Sequence, residues 1–241
     1  MSYQTYTTLK RGYTHPIFCE DFLFTHQLGE RYQIMAVMDG STMGTTSFFA
    51  STLVAKLLKK TCVQIAYQLD FQLNTPNKLG KALMKQLFAE LSQARSQLFL
   101  GQDELYTTLL LTVLDKPQQK AWVLAIGDGI ITVNEQCNVL DHHNQPDYVA
   151  YHLQENFDDW WANHSQIWEF EKVKNLALAT DGLLAIESNN SELLPSFMQP
   201  LLIEGLDQAN PHSLDQKLGK LLHQHQAQLQ DDLAIVRATL L

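Results

Sequence analysis

The amino-acid sequence predicts an α+β fold in which two mainly antiparallel sheets pack against each other and helices cover their outer faces. Short apolar runs with strand-like alternation occupy both ends of the chain, and two long segments with helical spacing lie between them. The order is strands, two helices, strands, an irregular insert, a helix and a last strand. A doubly wound parallel sheet would require regular alternation of strands and helices, which this order lacks.

The N-terminal half predicts three strands followed by two helices. Alternation over residues 2–10 and the apolar runs FLFTHQL and YQIMAVM predict the strands. Apolar residues repeat at helical spacing from about residue 45 to 67 and again from about 78 to 100, on either side of the break NTPN. We therefore expect two long amphipathic helices here.

The C-terminal half predicts further strands and one more helix. The strands are indicated by aliphatic and β-branched runs, namely YTTLLLTVLD, AWVLAIGDG, IITVNEQCNVL, NLALA and the closing DDLAIVRATL. A helix precedes the last strand, and Ser213 and Gln216 have the spacing of a capping box at its start. Residues 141–170 are the least regular part of the sequence and predict neither a long helix nor a long strand.

Composition narrows the class of protein. The chain has 241 residues, a formal net charge of −9 and three widely spaced cysteines. The absence of any Lys/Arg cluster argues against nucleic acid and anionic membranes as partners, and an odd set of cysteines predicts free thiols in a reducing compartment. With no repeat, linker or stretch of transmembrane length, we expect one domain over residues 1–241 in a cytoplasmic, monomeric protein.

Acidic residues stand at the ends of five apolar runs. A single Asp-Gly is ordinarily a turn, because glycine tolerates positive φ. Five acidic sites at strand ends instead match what hard divalent cations such as Mg²⁺ or Mn²⁺ require, and two such ions about 3.5–4 Å apart can lower the pKa of a shared water. The sites are Glu20-Asp21, Asp39-Gly40, Asp128-Gly129, Asp181-Gly182 and Asp231-Asp232.

Sequence patterns of other kinds of site are absent. The chain has no Gly-x-Ser-x-Gly element, no phosphate-binding loop and no dinucleotide fingerprint, and no His/Cys set has zinc spacing. The doublet His142-His143 lies in a polar loop and is predicted to be solvated.

Six motifs, in one order along nearly the whole chain, carry a resemblance to a known family. The sequence resembles the type-2C metal-dependent protein phosphatases (the PPM family), which hydrolyse phosphoserine and phosphothreonine, and it looks like a divergent member of the bacterial type. The matching elements are Glu20-Asp21, Asp39-Gly40 followed by Ala50-Ser51, Tyr106-Thr107-Thr108, Gly127-Asp128, Thr180-Asp181-Gly182-Leu183, and Asp231-Asp232 with the apolar run after it.

The resemblance implies a four-layer αββα sandwich with two Mn²⁺ or Mg²⁺ ions, and a weaker third, at one edge of the sheets. A phosphoprotein, such as the target of a partner kinase, would be the substrate. Residues 141–170 would form a variable flap, with Trp160-Trp161 either in its wall or packed in the core. By similarity, Asp39 would bridge the first two ions, and the Gly40 carbonyl would bind the first. Asp181 and Asp231 would hold the second ion, and Asp128 together with Asp181 would hold the third. Asp21 would belong to the same ligand set, as would Glu20, which would act through a coordinated water.

Several positions depart from the family's pattern. Pro16 and Ile17 stand where many members have an arginine that grips the substrate phosphate, so weaker substrate binding is expected. Ser41 follows Asp39-Gly40, Thr42-Met43-Gly44 replaces the usual Gly-Gly of that block, and Gly-Asp-Gly-Ile replaces Gly-Asp-Ser-Arg. Two alternatives to an active phosphatase stay open. One is a regulatory member that binds a phosphoprotein with little turnover, and the other is an unrelated sandwich whose acidic residues lie far apart.

Overall fold

The predicted four-layer arrangement is the one observed. The computed structural model describes residues 2–15, 17–44, 46–68, 73–142, 146–188 and 194–241. Two five-stranded sheets face each other, and a small two-stranded sheet lies apart from them. Every strand pair in the large sheets is antiparallel. Helices cover both outer faces, so the α+β, αββα sandwich is confirmed.

The elements follow one another as the apolar runs predict. The strands are β1 Tyr3–Lys10, β2 Phe22–Leu28, β3 Tyr32–Met38, β4 Leu109–Asp115, β5 Lys120–Ile126, β6 Gly129–Val133, β7 Gln136–Leu140, β8 Ile167–Phe170, β9 Asn175–Ala179, β10 Ile186–Glu187, β11 Gln228–Leu229 and β12 Leu233–Leu240. The α-helices are α1 Ser47–Gln68, α2 Pro76–Leu98, α3 Phe157–Asn163, α4 Leu194–Leu202 and α5 Ser213–Gln224. One large sheet has the order β1-β12-β9-β6-β7, and the other has the order β2-β3-β4-β5-β8.

Strand alternation distributes the core over three apolar layers. Along β3, Ile34, Ala36 and Met38 face α1 and α2, whereas Met35 and Val37 face the opposite sheet. Successive side chains of a strand point to opposite faces, so a strand between two layers is apolar throughout. This explains why β3 is buried at every position. Residues of β12 and β9 meet α4 and α5 in the third layer.

The start of α2 lies two residues before the predicted one. Thr75 is the N-cap, its side chain accepting from the Lys78 N–H at 3.3 Å, and Pro76 occupies the first turn. Proline is favoured there because its fixed φ suits the helix and its missing N–H would have no partner anyway. The same helix packs closely on the sheet, since a Cβ on Gly80 would lie 2.4 Å from the Trp122 ring.

Two local expectations have a clear outcome. The capping box is wrong: His212 is the N-cap of α5, and the buried Ser213 hydroxyl has no hydrogen-bond partner among the described residues. The tryptophan pair packs in the core rather than in a substrate wall. Trp160 is buried with its ring centroid 4.7 Å from that of Phe88, and Trp161 stacks on Trp122 at 5.9 Å.

The remaining expectations about thiols and membranes concern the described residues alone. Cys19, Cys62 and Cys137 are free cysteines, as the odd number predicts. None of the helices in the described ranges combines the length and the apolar character needed to cross a membrane.

Candidate metal centre

One edge of the sandwich collects acidic residues because antiparallel strands end and begin side by side. Phe22 opens β2 opposite Met38, which closes β3, so Asp21 and Asp39 become neighbours. In the other sheet Ala179 closes β9 between Ile235 of β12 and Ile130 of β6. That register places Asp181 next to the loops that carry Asp231 and Asp128. Strand order thus brings together residues that lie far apart in the sequence.

The Asp39-Gly40 turn is fixed by backbone hydrogen bonds. The Asp39 carbonyl accepts from the Thr108 N–H at 2.9 Å and from the Thr107 hydroxyl at 2.8 Å, and the Thr108 hydroxyl accepts from the Asp39 N–H at 3.0 Å. Gly40 donates to the Glu20 carbonyl at 3.2 Å. A Cβ on Gly40 would lie only 2.4 Å from the Ser47 carbonyl oxygen, so glycine is required by close approach.

Asp21 and Asp39 form an inner pair of carboxyl groups. Asp21 is buried, Asp39 is half-buried, and the two side chains hydrogen-bond to each other. Burial is the main cause that raises the pKa of both groups, and the negative charges of Asp181, Asp231 and Asp232 add to it. Two carboxylates cannot ionise side by side without cost, so this arrangement favours protonation of the pair.

Asp128, Asp181 and Asp231 form an outer group. They line a cleft of about 240 Å³ together with Asp141. Burial, followed by the charges of Asp231 and Asp128, raises the pKa of Asp181 to about 6. The Asp231 side chain is 47% exposed, so the outer group reaches solvent at Asp231, whereas Asp128 is buried.

Glu20 lies beside the inner pair, and its two carboxylate oxygens have different surroundings. Its Oε1 accepts from the Ser47 hydroxyl, and its backbone carbonyl accepts from the Ser51 hydroxyl. Among the described residues its Oε2 is buried without a hydrogen-bond partner, and His15 Nε2 lies 3.8 Å from it. A buried carboxylate oxygen left in this way is costly unless a cation or a water meets it.

Two further residues of the site received no role in the sequence analysis. Asp232 is buried and accepts from the N–H groups of Gly12, at 2.6 Å, and of Glu20, and so ties the segment before β2 to the site. His15 Nδ1 lies 2.9 Å from Asp232 and 3.5 Å from Asp231. Burial lowers the pKa of His15, but the bond to Asp232 and the charges of Glu20 and Asp231 outweigh it and raise the pKa. The Asp231-Asp232 doublet was visible in the sequence, whereas nothing singled out His15.

The prediction that His142 is solvated is wrong. Its backbone N–H donates to Asp128 Oδ1 at 3.0 Å, its Nδ1 contacts the same oxygen, and its Nε2 lies 3.1 Å from Gln166 Nε2. The β6–β7 hairpin causes this, because Leu140 pairs with Gly129 and the chain beyond it returns beside Asp128. His143 lies outside the described residues, as does Pro16.

The residues present fit divalent cations. The donor atoms are carboxylate and carbonyl oxygens, the kind that Mg²⁺ and Mn²⁺ prefer. The raised pKa values of Asp21 and Asp39 and the buried Glu20 Oε2 mark places where positive charge would relieve buried negative charge. In the ranges that the structure covers, no three acidic, histidine or cysteine side chains already stand as a closed ligand cage. Cation binding would therefore draw these side chains together.

Among known proteins, one family matches the sequence and many solved structures have a similar fold. A family described as Protein phosphatase 2C matches residues 11–223. The serine/threonine phosphatase Stp1 from Staphylococcus aureus is 14% identical with a TM-score of 0.66, covering 100% of this chain and 96% of that one. RsbX, solved in complex with magnesium, is 13% identical with a TM-score of 0.59, covering 99% and 96%.

A third similar structure is longer than this chain. It holds the PP2C phosphatase domain and a fragment of the regulatory domain of SpoIIE from Bacillus subtilis, and it is 17% identical with a TM-score of 0.62. The match covers 99% of this chain but only 63% of that one. At such identities the likeness shows the shared fold. No curated protein matches the sequence.

Proposed function

The chain belongs to the protein phosphatase 2C family, and from that premise we propose that it is a Mn²⁺- or Mg²⁺-dependent phosphoprotein phosphatase. Its substrates are phosphoserine and phosphothreonine monoesters, including those made by a partner kinase. The phosphatase named Stp1 and the magnesium complex of RsbX support this assignment as relatives in fold. We further propose that the chain acts as one cytoplasmic domain and a monomer.

The observation that carries the proposal is the meeting of acidic residues at one edge of the sandwich. Asp21, Asp39, Asp181 and Asp231 are separated by up to two hundred residues of sequence, yet their charges act on one another. An unrelated sandwich whose Asp-Gly elements are only turns would have no reason to gather them. Mutual repulsion makes such a cluster unfavourable unless it binds cations.

The proposed ligand roles follow from where each group stands. We assign Asp39 as the bridge between two ions, with the Gly40 carbonyl on the first, because the charges of Asp21 and of the outer residues Asp181 and Asp231 all act on it. Glu20 and Asp21 serve the inner side. The outer side and the weaker third ion are served by Asp128, Asp181 and Asp231. When bound, the ions would supply a more acidic water and neutralise phosphoryl oxygens.

The chain itself contributes positioning and proton control. Thr107 and Thr108 hold the backbone of Asp39, and Ser47 orients Glu20. Asp21 and Asp39 must both be ionised before both can act as ligands, and their raised pKa values oppose this in the absence of a cation. In the net reaction a water oxygen bonds to phosphorus, the ester P–O bond breaks, and the alcohol leaves with a proton.

The proposal is tested by turnover of p-nitrophenyl phosphate and of a phosphoserine peptide in Mn²⁺. Hydrolysis should require the metal and should be lost in Asp39→Asn and Asp181→Asn. Turnover that survives EDTA and both substitutions would overturn the proposed mechanism.

A second candidate function is that of a phosphoprotein-binding regulator with little turnover. The altered segment Ser41-Thr42-Met43-Gly44 and the lack of arginine at positions 16 and 17 favour it, since a bidentate guanidinium contributes strongly to phosphate binding. Tight phosphopeptide binding without hydrolysis in saturating Mn²⁺ would select this alternative.

A further inference from the structure

A tyrosine hydroxyl reaches the carboxylate cluster from the segment that faces it. Tyr148 is buried, its hydroxyl hydrogen-bonds with the side chain of Ser41, and the charges of Asp39, Asp128 and Asp181 act on it. The motifs that the sequence shares with the phosphatases contain no such tyrosine. Tyr148 therefore presents a chemical group that the ligand roles above do not use.

The position of Tyr148 is fixed on both sides of the residue. Its C-terminal neighbour, Val149, donates to the Thr107 carbonyl at 3.1 Å, and Thr107 also holds Asp39. Its N-terminal neighbour packs so closely that a Cβ on Gly127 would lie 2.5 Å from the Asp147 carbonyl oxygen. The backbone on both sides of Tyr148 thus packs against the segments that carry Asp39 and Asp128.

The ring is held as firmly as the backbone. Tyr148 stacks on Tyr106 with centroids 5.0 Å apart and an interplanar angle of 13°. Tyr151 meets both rings edge-on, at 5.4 Å and 5.2 Å. An aromatic ring packed in this way loses little further freedom when its hydroxyl binds a ligand.

The hydrogen bonds around Ser41 allow its hydroxyl to donate to the Tyr148 oxygen. Ser41 Oγ accepts from the Met43 N–H at 3.2 Å, so the one proton of Ser41 is available to donate to the Tyr148 oxygen. A donor in that place favours the phenolate, which agrees with the lowering of the Tyr148 pKa by Ser41. The Tyr148 O–H can then donate elsewhere.

Burial nevertheless raises the Tyr148 pKa overall, and the nearby carboxylates raise it further. The hydroxyl therefore keeps its proton near neutral pH and remains a donor. Ionised carboxylates only accept hydrogen bonds, so they offer nothing to the oxygens of a bound phosphoryl group. Tyr148 adds a donor among them.

We propose that Tyr148 is a substrate-binding residue of this centre, whose hydroxyl donates a hydrogen bond to a phosphoryl oxygen of the phosphomonoester. The inference rests on the proposed function. Ser41 acts as a positioning residue that orients the hydroxyl. Tyr148 in this way supplies part of the phosphate recognition that an arginine at positions 16 and 17 would have provided.

The test compares Tyr148→Phe with Tyr151→Phe in the full chain loaded with Mn²⁺. Tyr151→Phe is the matched control, because it removes a hydroxyl from the same cluster of rings. That hydroxyl hydrogen-bonds to Tyr106 rather than to Ser41. Inhibition by inorganic phosphate and KM for p-nitrophenyl phosphate are measured, together with calorimetric Mn²⁺ affinity. Loss of one hydrogen bond to an anion predicts an increase of about tenfold in both the phosphate inhibition constant and KM for Tyr148→Phe.

The expected result leaves Mn²⁺ affinity within about twofold in both variants and leaves phosphate binding unchanged in Tyr151→Phe. Unchanged phosphate binding in Tyr148→Phe would overturn the inference. So would a fall in Mn²⁺ affinity that accounts for the whole effect, since Tyr148 would then support the ligands alone.

Calorimetry of inorganic phosphate separates this inference from the proposed function. Phosphate binding that depends on Tyr148, in a protein without turnover, would remove the phosphatase assignment and leave the inference standing. If the Mn²⁺-loaded protein neither binds phosphate nor hydrolyses esters, both are overturned.

Discussion

The inner pair, Asp21 and Asp39, and the outer group, Asp128, Asp181 and Asp231, are built differently. The backbone of the inner pair is held by Thr107, Thr108 and the Gly40 turn, and burial raises the pKa of both of its carboxyl groups. The outer group lines an open cleft, and one of its members is 47% exposed. In the proposed metal centre, this difference predicts a rigid inner cation site beside an outer site that exchanges its ion more readily.

The largest effect is expected from the inner pair. Asp39→Asn removes the group placed to bridge both ions, so turnover of p-nitrophenyl phosphate in Mn²⁺ should fall by at least about 10³-fold, roughly 4 kcal/mol of transition-state stabilisation. Asp158→Asn is the control, because Asp158 forms surface ion pairs with Lys81 and Lys85. An Asp39→Asn variant that retains a tenth of the activity would remove the special role of the inner pair.

The rigidity of the inner pair is tested through its glycine. Gly40→Ala should lower the free energy of unfolding by about 2–4 kcal/mol, because its Cβ would meet the Ser47 and Glu20 carbonyl oxygens. Gly219→Ala is the matched control: it lies inside α5 with nothing within 4 Å of its Cβ and should stabilise by about 0.5–1 kcal/mol. Urea denaturation measures both, and equal effects would contradict the claimed close packing.

The outer group should make the metal-free protein sensitive to pH. The pKa of Asp181 is raised to about 6, whereas an unfolded aspartate ionises near about 4. Protonated Asp181 therefore stabilises the folded state fully below about pH 4, and this stabilisation is lost as pH rises through about 6. Without metal, the free energy of unfolding should be about 1–3 kcal/mol lower at pH 7.5 than at pH 5 on account of this group.

Asp181→Asn is the control for that pH dependence, since asparagine does not titrate. Its unfolding free energy, measured by urea denaturation in EDTA, should change less between the two pH values than that of the wild-type protein. If the unfolding free energies of the two proteins depended on pH in the same way, the pKa of Asp181 would not be raised in the folded state.

The smallest effect is expected at Asp128, the proposed ligand of the weaker third ion. Asp128→Asn should reduce turnover by only about three- to tenfold, and raising the Mn²⁺ concentration should restore much of it, because a weakly held ion is recovered by mass action. A loss as large as that of Asp39→Asn, without recovery in Mn²⁺, would erase the distinction between the two parts of the centre.

The sequence was a good guide wherever a pattern repeats along the chain. The apolar run of β3 and the helical spacing in α1 and α2 are local signals, and they predicted the layers correctly. The acidic strand ends were visible for the same reason, since Asp-Gly after an apolar run marks the end of a strand.

What the sequence concealed depends on contacts between distant segments. His142 faces Asp128 only because the β6–β7 hairpin turns back, and His15 reaches Asp232 across more than two hundred residues. Tyr148 belongs to an irregular segment whose direction no periodicity reveals. The capping-box spacing at Ser213 was misleading because the helix begins at that residue, not after it.

The most direct test of the centre is a crystal of the protein soaked in Mn²⁺ and examined for anomalous scattering. Two peaks should lie on either side of the Asp39 carboxylate, one next to Glu20 and the Gly40 carbonyl and the other next to Asp181 and Asp231, with the Asp21–Asp39 hydrogen bond broken. Peaks elsewhere, or no peaks while that hydrogen bond persists, would contradict the account.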